Sequence, residues 1–144
     1  MDKRKLARRK EKIASLREQE ARVTLALREK ALRDKEAELG ELRQKQEEAE
    51  AQFRSTSPGS SAWLEVWENS RQMFLKKEEE FLSAIDSLKD ERNEALSAHR
   101  KTLEGLRSSE KVTEKVAQEW QKEQLFKEGK ELDEAGSWGH RDKG

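Results

Sequence analysis

The single proline of this chain, Pro58, lies in residues 54–61 (RSTSPGSS) with Gly59 and five hydroxyl residues, between two long stretches that lack proline and hold little glycine. Proline has no amide proton to donate and clashes with the preceding helical turn, so a helix does not run through it. The segment therefore reads as one turn between two helices. Ser57 can cap the second helix with Pro58 in its first turn, or Ser60 or Ser61 can cap a slightly later start.

Both flanking stretches carry a heptad rhythm. Helix one is expected over about residues 3–53, with Leu6, Ile13 and Leu27 on one heptad line, Leu16 and Val23 on the other, and Arg9 and Glu20 interrupting. From Leu25 a second register appears, with Leu25, Leu32, Leu39 and Phe53 flanked by Leu42 and Ala49, so a shift of the apolar stripe is expected around Leu25 to Leu32. Helix two is expected over about residues 61–134. Trp67, Phe74, Phe81, Leu88 and Ala95 recur at sevens, beside a mixed line of Leu64, Arg71, Glu78, Ile85, Arg92, His99 and Leu106. Leu103, Val112, Val116 and Trp120 then extend an apolar face. Residues 136–144 are polar and glycine-rich, with Trp138 as their one large apolar group, and read as a disordered tail.

The fold class that follows is all-α, two long helices in an antiparallel coiled-coil hairpin over residues 1–135. At a rise of about 1.5 Å per residue helix one measures about 75 Å and helix two about 110 Å, so helix two either overhangs at its C-terminal end or bends.

Composition narrows the function classes. Charged residues make up 43% of the chain and hydrophobic residues 32%, too little apolar matter for the rounded core of a compact enzyme. Disorder is a poorer reading, because 31 basic residues balance 31 acidic ones and only one proline is present. Without cysteine there is no disulfide, no catalytic thiolate and no cysteine-ligated zinc. No apolar run nears the roughly 20 residues that span a bilayer, and residues 1–12 carry seven bases with no apolar stretch after them, so neither a signal peptide nor a membrane span is expected.

Catalytic, cofactor and metal sites are likewise not expected. His99 and His140 lie 41 positions apart, and the glycines form no phosphate-binding pattern. Carboxylate runs such as Glu78 to Glu80 read as solvated helix faces, because a two-helix protein has no desolvated pocket in which to tune them. Two features point to binding instead. Lys3, Arg4, Lys5, Arg8, Arg9, Lys10 and Lys12 form a basic end that suits an acidic protein surface better than nucleic acid, since no aromatic is interleaved for base stacking. Trp63 and Trp67, one turn apart just after the turn, either plug the hairpin end against Phe53 or join Met73 and Phe74 in an exposed apolar surface of the kind that anchors partners.

With the helices placed, the chain resembles the FliJ/YscO family of bacterial type III export proteins, small charged hairpins of similar length. Helix one shares a rhythm of Leu and Ala among Arg, Glu and Gln, and Trp63 after the turn matches a Trp in the family. The most specific match is residues 128–134, EGKELDE, against a family pattern E-Q-K-E-L-D-E, in which Gly129 stands where the family has glutamine. The resemblance implies a non-enzymatic, cytoplasmic accessory of the flagellar or injectisome export apparatus, peripheral at the inner membrane. It implies a stalk-like partner of the export ATPase ring through Arg8, Arg9, Leu132 and Asp133, and of the membrane export gate through Trp63, Trp67 and Phe74, with export chaperones as further partners. The competing reading is a generic coiled-coil scaffold protein that forms dimers.

Overall fold

The computed structural model describes the backbone of residues 2–56 and 61–142 and the side chains of residues 2–56 and 61–136. The fold is all-α. Helix α1 spans Lys3–Thr56, helix α2 spans Ser61–Asp142, and the two pack against each other as a hairpin. Their sequences are rich in Ala, Leu, Glu, Lys, Arg and Gln, which lose little side-chain freedom in a helix.

Asp2 starts α1 as an N-cap. Its carboxylate accepts the backbone N–H of Arg4 at 3.1 Å, and its carbonyl accepts that of Leu6 at 3.2 Å. The Arg4 amide bond, aided by the nearby Arg4 and Lys5 charges, holds the Asp2 carboxyl below its ordinary range. At its other end α1 outlasts the expected boundary at Phe53 by three residues. The hydroxyls of Ser55 and Thr56 donate to the Gln52 carbonyl at 3.0 and 2.7 Å, satisfying a late carbonyl of the helix, and Arg54 complements the dipole there. The proposed caps at Ser57, Pro58 and Ser60 lie outside the described residues.

Helix α2 begins at Ser61 as expected but does not stop near Glu134. Its backbone continues to Asp142, through most of the segment that reads as a disordered tail. A glycine ends a helix by adopting positive φ, and no glycine among the described residues does so. With no proline after it, Gly136 costs helix propensity without imposing a stop. The side chain of Trp138 and residues 143 and 144 lie outside the description.

Contacts group the chain into two compact units, Ala21–His99, and Met1–Glu20 with Arg100–Gly144. In the first, Leu32, Leu39 and Ile85 are buried, with Leu42, Phe81 and Leu88 packed on them. The expected line Trp67, Phe74, Phe81, Leu88, Ala95 is half-buried or buried throughout. Its mixed companion is engaged only from Glu78 onward, since Leu64 and Arg71 are exposed. The charge at Glu78 is met from the opposite helix by Arg43 Nε at 3.2 Å, and Arg28 pairs with Glu91 at 3.4 Å. Lys35 lies 4.4 Å from the centre of the Phe81 ring.

In the second unit the seam is made of small residues. Ala7, Ala14 and Glu18 of α1 turn inward, and Thr102, Leu106, Ser109, Thr113 and Val116 of α2 are half-buried. The Thr113 hydroxyl donates to the Ser109 carbonyl at 2.9 Å and reaches within 3.4 Å of the Ala7 carbonyl, an approach that side chains larger than alanine would block. Arg4 lies 3.8 Å above the Trp120 ring centre.

These burial patterns correct two expectations. Leu6, Ile13, Leu16, Val23 and Leu27 are all exposed, so they are not the seam of α1. The register of Leu25, Leu32, Leu39 and Phe53 already holds earlier, at Arg4, Glu11 and Glu18 with Ala7, Ala14 and Ala21, so no shift of register occurs near Leu25. Alanine served by small partners keeps the heptad unbroken, where a switch to the larger side chains would require local unwinding. In α2 the seam likewise runs straight on through Thr102, Ser109, Thr113 and Val116, while Val112 is exposed.

Candidate protein-binding site

At the turn end, in the unit Ala21–His99, three aromatic rings stack. Phe53, the last seam residue of α1, faces Trp67 with centroids 4.8 Å apart and planes at 15°, and Trp63 at 6.0 Å and 8°. Trp63 and Trp67 stand one turn apart on α2, so helical spacing alone brings both over one ring. The plug and the apolar surface are therefore parts of one arrangement. Trp67 is half-buried within it, whereas Trp63 keeps 40% of its surface exposed.

Beside the stack runs a groove of about 450 Å³ lined by Ala49, Gln52, Phe53, Trp63, Val66 and Trp67. A second groove of about 440 Å³ shares Val66 and Ser70 with it and adds Leu42, Met73 and Phe74, with Lys45 and Lys77 at its edge. Val66 and Met73, seven residues apart, are each about three-fifths exposed (61% and 62%), with the polar Asn69 and Ser70 between them on the same face. Such a surface, rimmed by cations, suits an amphipathic helix bearing acidic residues.

Phe74 is half-buried on the seam and lines the second groove, while Arg8 and Arg9 are exposed on α1 in the unit of Met1–Glu20 with Arg100–Gly144. Leu132 and Asp133 belong to that same unit and are exposed on α2. No hydrogen bond or ion pair joins the two arginines to Asp133 among the described residues. Sequence reasoning did not single out Val66, Lys45 or Lys77. The i, i+7 spacing of Val66 with Met73 was the signal available for the first of these.

Among the described residues no three His, Asp or Glu side chains are grouped to hold a metal ion, and no helix is long and apolar enough to cross a membrane. Comparison with protein-family models, curated proteins and solved structures finds no match to this chain.

Proposed function

We propose that this chain is a non-catalytic accessory of the bacterial type III export apparatus, a helical partner that binds the export ATPase at the open end of the hairpin and the export gate at its turn end. The observation that carries the protein-binding reading is the exposure of Val66 and Met73 beside the Phe53–Trp63–Trp67 stack. A two-helix protein gains nothing in stability by leaving such side chains in water, but a partner helix covering them removes apolar surface from solvent. The export assignment rests on the family resemblance of Trp63 and of residues 128–134. Leu132 and Asp133 are exposed and available to a partner, as are Arg8 and Arg9.

The test uses the full chain with a purified export ATPase and the cytoplasmic part of an export gate. Leu132→Ala with Asp133→Lys is expected to abolish stimulation of ATP hydrolysis while leaving gate binding intact. Val66→Lys with Met73→Lys is expected to do the reverse. Wild-type chain that neither alters ATP hydrolysis nor binds the gate would sink the export reading.

A further inference from the structure

Two unsatisfied features share the unit of Met1–Glu20 with Arg100–Gly144, and they are chemically opposite. The first is a groove between the helices of about 480 Å³, lined by Ile13, Ala14 and Gly105 together with Lys10, Arg17 and Lys101. Ile13 is half exposed, at 50%, and a Cβ placed on Gly105 would meet nothing within 4 Å, so this part of the lining is apolar and open. Among the described residues none of the three cations takes part in an ion pair or hydrogen bond.

The second feature is the stretch of α2 past the start of α1. The first turn of α1 lies against Trp120 and Glu123. Every side chain from Leu125 to Gly136 is then exposed, Phe126 at 74% and Leu132 at 73%. Helical spacing puts Leu125 and Leu132 on one line, with Glu128 flanking it on one side and Asp133 on the other. Residues 123–134 carry five acids, Glu123, Glu128, Glu131, Asp133 and Glu134, against Lys127 and Lys130.

We infer that the acidic, leucine-bearing end of α2 in one copy of this chain docks in the basic groove of a second copy, and reciprocally, forming a two-fold dimer. The apolar line of Leu125 and Leu132 covers Ile13 and fills the space over Gly105. Glu128 and Asp133 then meet Lys10, Arg17 and Lys101 across the two rims. Each surface supplies what the other lacks, and an isologous dimer satisfies both at once. A lipid surface fits the groove less well, because its lining carries no aromatic anchor. The inference uses none of the turn-end groove and does not rest on the export reading. It shares Leu132 and Asp133 with the surface proposed above for the ATPase, so self-association measured on the chain alone tests it separately.

Charge exchange tests it in the full-length chain, by sedimentation from about 5 to 500 µM. The wild type is expected to show a monomer–dimer equilibrium that weakens at least tenfold between about 50 and 500 mM salt. Lys10→Glu with Arg17→Glu and Lys101→Glu, and separately Glu128→Lys with Asp133→Lys, should each weaken self-association by about tenfold or more. Mixing the two variants should restore the dimer, since both contacts then pair opposite charges again. Because the chain has no cysteine, Ile13→Cys mixed with Leu132→Cys should also give a disulfide-linked dimer that neither variant forms as readily alone. A wild type that stays monomeric throughout overturns the inference. So does a dimer indifferent to both reversals, or a mixture of the two variants that fails to associate.

Discussion

The unit around Leu32, Leu39 and Ile85 and the unit around Ala7 and Thr113 solve the same problem with opposite materials. In the first, Leu32, Leu39 and Ile85 are buried and the ion pairs Arg28–Glu91 and Arg43–Glu78 lie at the surface, while Val23, Leu27, Val66 and Met73 stay exposed. In the second, Ala7, Ala14, Ser109 and Thr113 share the seam with Leu106 and Val116, while Leu6, Ile13, Leu16 and Val112 face outward. Burial of apolar area is the main favourable term in folding, so the large buried side chains of the first seam should contribute more stability than the small ones of the second.

The sharpest way to break this contrast is to remove equal side-chain volume from each unit. Leu39→Ala should destabilise the chain by about 2–4 kcal/mol in urea unfolding followed by circular dichroism, whereas Ile13→Ala, half exposed, should cost under about 1 kcal/mol. Equal losses would mean that Ile13 is packed as Leu39 is and does not face outward. Next in size is the opposite change, enlargement of the small seam. Ala7→Leu should cost about 1–3 kcal/mol by forcing the Thr113 contact apart, and hydrogen exchange should report faster opening in residues 2–20 and 100–120.

A smaller effect is expected at the turn end. Phe53→Ala removes the ring shared by both tryptophans and should cost about 1–2 kcal/mol, with a red shift of tryptophan emission as Trp67 becomes wetter. An unchanged spectrum would show that the stack does not shield Trp67. The smallest change should be favourable. Gly105→Ala has open space for its methyl group and no positive φ to preserve, so it should stabilise the helix by up to about 1 kcal/mol in thermal unfolding.

Much of this architecture was legible before any coordinates. Pro58 marks the division of the chain, and Trp67 to Ala95 at sevens mark the inward line of α2 because large apolar residues at fixed spacing have few other uses. What misled was size. Leu6, Ile13, Leu16, Val23 and Leu27 outweigh Ala7, Ala14 and Ala21 on any hydrophobic count, yet the alanines form the seam, because the facing residues of α2 are small as well. That complementarity is a property of two distant segments and is invisible within one. The end of α2 was missed for another reason, since Gly136 permits a stop but no partner contact imposes one. At the candidate sites, Trp63 and Trp67 could be named from their spacing and place after the turn. The basic groove could not, because it needs Ile13 and Gly105, 92 positions apart, to face each other.

The aromatic stack also sets an order of events. Phe53 and Trp63 close a short loop, whereas the pair Arg43–Glu78 spans 35 residues, Arg28–Glu91 spans 63 and Thr113–Ala7 spans 106. Loop closure costs more entropy the more chain it encloses, by about 0.6 kcal/mol for each doubling in a flexible chain. The stack gives folding a local nucleus with low contact order, from which each pair of turns shortens the loop that the next must close. The hairpin is therefore expected to zip from its aromatic end, with hydrogen exchange fastest at its small-residue end.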